Sequence, residues 1–271
     1  MRQRLLLLGL LTGLVLVANG QHDFARLTQR AEELYRLGDF EGALLAYDSL
    51  AVRAPGQAIV LYGRGRTYFA LERFARAIAD FDSCLAYDNR YAQAYHYRGM
   101  ARLALGELPA AETDLDHALA LDSTLWEARV NRGLVYLDQQ RYAAALEDFG
   151  AVLAERPTAD AVWYNRGRAY GYAGNYPAAE ADFRRAIQLN PADASYHYGL
   201  GTAKLYQYDF SAAVAAYQNC LTLDPTYGDA LYSLGYTYHQ LGERETCCYY
   251  FGKAAALGHA QAATYLRRLC D

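Results

Sequence analysis

The chain has 271 residues, 53% of them hydrophobic, and a formal net charge of −4. That length is near the limit of a single core, so several domains or a repeat array are expected, and the small negative charge argues against a nucleic-acid or general membrane-surface partner. Two features of composition stand out: of 26 basic residues only Lys204 and Lys253 are lysines, and 26 tyrosines stand against 9 phenylalanines.

The first element is an export signal. Two arginines lie within Met1–Arg4, an uncharged apolar run of 14 residues follows from Leu5 to Ala18, and Ala18-Asn19-Gly20 offers small residues at the −3 and −1 positions of a cleavage site before Gln21. These are the three parts of a secretory signal peptide, and the run is shorter than the ~20 residues a spanning helix needs. No cysteine follows closely enough for a lipoprotein attachment. Residues 1–20 are therefore expected to be removed. The mature chain, 21–271, is expected to be exported to a bacterial periplasm or the extracellular space, with no membrane span.

From Phe24 onward the chain repeats every 34 residues, with starts at Phe24, Ala58, Ala92, Trp126, Asp160, Ala194 and Gly228. Numbering each repeat from 1, position 8 is Ala31, Gly65, Gly99, Gly133, Gly167, Gly201 and Gly235. Position 20 is Ala43, Ala77, Ala111, Ala145, Ala179, Ala213 and Cys247, and position 24 carries a large residue such as Phe81, Phe149 or Phe183. Small residues let two helices, A and B, approach closely at positions 8 and 20, and position 24 fills the space beside them. The prolines agree: Pro55, Pro157, Pro191 and Pro225 sit at position 32, where helix B ends, and Pro109 and Pro177 sit at position 18, in its first turn.

In Asp160–Pro191 the residues Trp163, Gly167, Tyr170, Gly174, Tyr176, Ala179, Phe183, Ala186 and Pro191 fall at the offsets of a tetratricopeptide repeat, and the chain resembles that family over nearly all of its mature length. The resemblance implies an all-α fold: a right-handed α-solenoid of seven 34-residue helix-turn-helix repeats closed by a capping helix at about 260–270. The seventh repeat departs from the pattern. Position 32 is His259, and Leu257-Gly258-His259-Ala260 looks like the tighter turn of Sel1-like repeats.

A charge pattern runs through the middle repeats. Position 7 is Arg64, Arg98, Arg132 and Arg166 in repeats two to five, and position 23 there is Asp80, Asp114, Asp148 and Asp182. In repeats six and seven both positions lose their charge, to Leu200 and Leu234 and to Ala216 and Tyr250. The expectation is a ladder of structural Arg–carboxylate pairs between helix A and helix B, with Arg30 left over because its partner position is Ala46.

The resemblance also implies a concave groove lined by helix A. Carried onto this chain, it presents Tyr62, Arg66 and Phe69 in repeat two, His96 in repeat three, and Tyr164, Arg168 and Tyr172 in repeat five. Tyr198 and Tyr206 follow in repeat six, and Tyr232, Tyr236 and His239 in repeat seven. Tyrosine gives a large contact surface with a polar tip, which suits a wet binding groove, although tyrosine also flanks the core in such repeats. The Lys/Asn pattern of chaperone-binding members is absent, so capture of a C-terminal carboxylate is not implied.

Cys84 and Cys220, both at position 27, are expected as buried thiols. In an oxidising compartment Cys247 or Cys248 is expected to bond Cys270 and pin the cap, with Cys247, at the inward position, the preferred partner. No phosphate loop, metal-binding His motif or nucleophile elbow occurs, so neither catalysis, a cofactor nor a metal is expected. The functional expectation is an exported, non-catalytic scaffold binding an extended peptide or partner protein along the Tyr-rich groove. The alternatives are a glycan-binding module of the cell envelope or an architectural spacer working through its convex face.

Overall fold

A computed structural model describes residues 23–270. The expected signal peptide lies outside the described residues. Among those residues all regular structure is helical, and no helix is long and apolar enough to cross a membrane. Helix α1 covers residues 23–36. The hairpins then run through α2 (Phe40–Arg53), α3 (Ala58–Ala70) with α4 (Phe74–Tyr87), α5 (Ala92–Ala104) with α6 (Leu108–Leu121), and α7 (Trp126–Asp138) with α8 (Tyr142–Glu155). They continue through α9 (Asp160–Tyr172) with α10 (Tyr176–Leu189), α11 (Ala194–Tyr206) with α12 (Phe210–Leu223), and α13 (Gly228–Gln240) with α14 (Arg244–Ala256), closed by α15 (Ala260–Leu269).

The described residues divide into two compact units, one up to Asn131 and one from Arg132 onward. In the first unit each helix from α2 to α6 packs on the next in sequence, as does each from α8 to α15 in the second, and A helices also touch the following A helix, as α3 does α5 and α9 does α11. No hairpin buries its apolar face alone; its neighbour completes the core.

The crossing of each pair is set by position 8. A Cβ added at Gly65 would stand 2.6 Å from the Phe81 ring, and one at Gly167 would stand 2.8 Å from Phe183, so the ring at position 24 occupies the space that glycine leaves. Ala43, Ala77, Ala111, Ala145, Ala179, Ala213 and Cys247, all at position 20, are fully buried. The turn from helix A to helix B is identical in kind throughout: position 15 takes a left-handed backbone, and the next N–H reaches back to helix A, as Asn175 N does to Tyr170 O at 2.8 Å. Glycine occupies it in the odd repeats (Gly38, Gly106, Gly174, Gly242), but Glu72, Gln140 and Tyr208 occupy it in the even ones, at φ 57°, 60° and 61°.

At the C-terminal end α14 closes one residue earlier than the other B helices, with Gly258 at φ 86°, and the His259 side chain caps α15. One expectation is corrected here. The disulfide joins Cys248, not Cys247, to Cys270. Cys247 sits at the position-20 crossing, fully buried in the cluster of Leu231, Phe251, Ala254 and Ala262, whereas Cys248, one residue around the helix, is only partly buried and packs at its margin.

A tyrosine trough as candidate functional site

The second unit carries the candidate site. Tyr164, Tyr198 and Tyr232, all at position 5, each lay one side of the ring on the position-24 aromatic of their own repeat: Phe183 at 5.7 Å, Tyr217 at 5.8 Å and Phe251 at 5.8 Å. A second aromatic flanks each of them: Tyr196 at 5.0 Å, Tyr227 at 5.1 Å and His259 at 4.6 Å. Burial raises the pKa of all three phenols. These tyrosines are half core and half floor.

The rim is different. Tyr172 and Tyr206, at position 13, are 58% and 56% exposed. Each stacks on the position-17 tyrosine of the preceding repeat: Tyr172 on Tyr142 at 5.9 Å, and Tyr206 on Tyr176 at 4.9 Å with the rings 8° from parallel. Two cavities open between floor and rim. One of about 600 Å³ is lined by Tyr164, Arg168, Tyr172, Tyr176, Tyr198 and Tyr206 among others. Another, of about 540 Å³, is lined by Tyr198, Tyr206, Tyr208, Tyr232, Tyr236, His259 and Tyr265 among others. They share Tyr198, Thr202, Tyr206 and Asp229, so together they form one trough across α9, α11, α13 and α15. Arg168 lies between the rings of Tyr164 (5.8 Å) and Tyr172 (5.9 Å). His239 is exposed but lines neither cavity; its neighbour Gln240 does.

Asp229, His259 and Ser233 all line the second of these cavities. The His259 Nδ1 accepts from the Ala262 N–H at 3.1 Å, so its Nε2–H points to Asp229 Oδ1 at 3.2 Å. Both ring nitrogens are engaged, and neither is free to act as a base toward a hydroxyl.

In the first unit the helix-A residues do structural work. Tyr62 is 7% exposed and packs on Tyr91 (4.8 Å) and Tyr97 (5.8 Å), which corrects its expected place in a groove: it belongs to the core. Phe69 packs edge-on against Phe74 (5.4 Å) and Tyr97 (5.9 Å). Arg66 stacks over Tyr35 at 4.3 Å and lies 3.5 Å from Glu32, which also accepts the Tyr47 hydroxyl. His96 is buried with its Nε2 2.8 Å from Asn131 Nδ2, and burial pushes its pKa down to about 4.

The charged residues of the middle repeats pair between helices. Arg64 grips Asp80 with two bonds of 2.7 Å, and Arg98 grips Asp114 at 2.9 and 2.6 Å. In the second unit Arg132 grips Asp148 at 2.8 and 2.7 Å, and Arg166 grips Asp182 at 2.7 and 2.9 Å. Arg30 pairs with exposed Glu33 at 3.1 Å. A further rung lies outside the expected ladder: Arg64 also binds Asp48 at 2.9 Å and Arg98 binds Asp82 at 2.6 Å, position 25 of the preceding repeat in each case. The signal is present as a spacing of 16 residues in both directions from each Arg, but position 25 is Gly150 before Arg166, which hides the pattern.

The comparisons agree with this architecture. A crystal structure of a tetratricopeptide repeat protein from Parabacteroides merdae ATCC 43184 superposes with a TM-score of 0.71 at 19% identity, over 92% of this chain and 99% of that one. A crystal structure of MamA protein aligns with a TM-score of 0.55 at 25% identity, over 64% and 94%. The structure of YrrB, described as a TPR protein with an unusual peptide-binding site, aligns with a TM-score of 0.55 at 23% identity, over 70% and 98%. No curated protein matches the chain. Tetratricopeptide repeat models match residues 28–92, 63–125, 98–161, 161–193 and 205–242, well over half of the sequence. With its stacked hairpins, small-residue crossings and these matches, the chain belongs to the tetratricopeptide repeat family.

Proposed function

We propose that the chain is an exported, non-catalytic scaffold that holds an extended peptide, or an extended segment of a partner protein, in the tyrosine trough of α9, α11, α13 and α15. The observation that carries this reading is the exposed Tyr206 ring, stacked nearly parallel on half-buried Tyr176 at the rim and lining both cavities. A large ring held flat by a second ring loses little freedom on binding, so its contact area is converted to affinity at low entropic cost. Tyr198, Thr202 and Ser233 give the floor a polar content, and Arg168 and Asp229 give the lining mixed charge. The tight last turn at Gly258 is read as Sel1-like, closing the array against α15.

Cross-linked capture from the envelope fraction tests the reading, with wild type against a Tyr172→Ala/Tyr206→Ala pair. Recovery of a partner that drops at least about tenfold in the pair supports it, because each large aromatic anchor contributes on the order of 2 kcal/mol. Equal recovery overturns it, and loss of capture to soluble oligosaccharide but not to peptide would favour the glycan-binding alternative. Export belongs to the same proposal, and the Cys248–Cys270 disulfide suits an oxidising compartment. An N-terminal mass beginning near Gln21 supports it; an intact Met1 in exported protein overturns it.

A further inference from the structure

The three cysteines at the C-terminal end are closer together than one disulfide requires. The free Cys247 Sγ lies 4.0 Å from Cys248 Sγ, and the sulfurs of Cys247, Cys248 and Cys270 all lie within 4.8 Å of one another. We propose that, when the Cys248–Cys270 disulfide is reduced, these three residues form a three-thiolate site for a soft d10 metal ion. This proposal is independent of the peptide-binding reading.

The spacing is the first argument. A metal bonded to thiolate at about 2.3 Å in a trigonal arrangement holds its sulfurs about 4.0 Å apart. Cys247 and Cys248 already stand at that separation on α14. Reduction lets Cys270 part from Cys248 toward the same separation, with no need to move a helix. The second argument is the frame: Tyr265, Leu266 and Leu269 of α15 pack on the Phe251 cluster, so Cys270 is presented by a docked element. The third is donor chemistry. The cluster offers sulfur alone, which selects soft d10 ions such as Cu(I) or Zn(II) over Mg(II) or Ca(II). The Arg244 guanidinium, whose Nε donates to Leu269 O at 3.0 Å, also bears on Cys247 and offsets part of the charge that three thiolates bring.

The chemistry balances. A dithiol reductant gives up two electrons and two protons, closing its own disulfide, and Cys248 and Cys270 each become a thiol. Metal binding then replaces three S–H bonds with three S–metal bonds and releases three protons to solvent. Cys247 is a thiol before binding, its Sγ donating to Arg244 O at 3.1 Å. In either redox state α14 and α15 are therefore joined through the same sulfurs, by a disulfide or through the ion.

The test uses the full chain, reduced anaerobically with a phosphine, which takes up the disulfide's oxidising equivalents and the oxygen of water as phosphine oxide; excess phosphine, a soft donor itself, is removed by desalting before metal is added. Cd(II) alone is the probe. The expected result is an ultraviolet thiolate-to-metal band that saturates at one ion per chain with three protons released, and that weakens by about tenfold or more in Cys270→Ser. The oxidised wild-type chain, whose free thiols are Cys84, Cys220 and Cys247, should give no band. No band in the reduced chain, or an equal band in the oxidised one, overturns the proposal. The oxidised–reduced comparison decides the matter even if Cys270→Ser does not fold.

Discussion

At the scale of single residues, the charges inside this protein are held by geometry rather than by solvent. Asp182 is 4% exposed and faces the fork of Arg166 with two short bonds, so removing it leaves a half-buried guanidinium without its carboxylate. Asp182→Ala is expected to cost about 3 kcal/mol in urea unfolding, whereas the paired change Arg166→Met/Asp182→Leu should recover most of that loss. A double mutant no more stable than the single one would show that the pair itself, not the orphaned charge, carries the stability. His96 sets a pH dependence of definite sign. Its folded pKa of about 4 lies below the ordinary value of 6.5, so the neutral ring that folding requires is already present above pH 6.5. Stability should therefore fall as pH drops from about 6.5 toward 4, by about 3 kcal/mol in all. His96→Gln should flatten that part of the pH profile, and an unchanged slope would place the titration elsewhere.

At the scale of elements, the repeat boundaries could be read from the sequence because the constraints on them are steric. Gly65 and Gly167 meet rings that leave no room for a Cβ, and Pro157, Pro191 and Pro225 stop helix B. The Arg–Asp register was readable for a related reason, since from repeat two onward positions 7 and 23 carry charge together and lose it together. What could not be read was the direction of side chains that sit one step from a known position. Cys247 and Cys248 differ by about 100° around α14, and only the docking of α15 decides which one meets Cys270. Tyr172 and Tyr206 look like Tyr164 and Tyr198 in sequence, yet their exposure depends on Tyr142 and Tyr176 in the neighbouring repeat. The same element scale yields two engineering outcomes. Gln140 holds a left-handed backbone where the odd repeats have glycine, so Gln140→Gly should stabilise by about 1 kcal/mol despite glycine's extra freedom in the unfolded chain. A Cβ at Gly150 would stand 4.0 Å from Arg166 Nη1, and Gly150→Asp would supply the second carboxylate that Arg64 and Arg98 already have in Asp48 and Asp82. The expected gain is about 1 kcal/mol from helix propensity and the added pair, measured by thermal unfolding, with Gly150→Asn showing less than half of it.

At the scale of the whole molecule, one repeat pattern serves two purposes. Position 5 carries Tyr62 in the first unit and Tyr164, Tyr198 and Tyr232 in the second, but Tyr62 is enclosed by Tyr91, Tyr97 and Phe81 while the other three floor an open trough. The first unit spends its aromatic surface on cohesion; the second leaves part of it to solvent, rimmed by Tyr172, Tyr206 and Tyr208. Repeat arrays allow this division because each hairpin is stabilised mainly by its neighbours, so a repeat can give up core aromatics without unfolding the rest. The two roles should separate cleanly on mutation. Tyr62→Ala should destabilise by about 3–5 kcal/mol, the usual cost of emptying a buried aromatic site, and leave partner capture by the folded fraction unchanged. Tyr206→Ala should cost less than about 1 kcal/mol, since the ring is more than half exposed and the mutation removes little beyond its stack with Tyr176. Capture should nevertheless fall by about tenfold, because the ring is shared by both cavities of the trough. If instead Tyr62→Ala abolished capture at temperatures where the chain remained folded, the recognition surface would have to include the first unit, and the assignment of cohesion to one unit and contact to the other would fail.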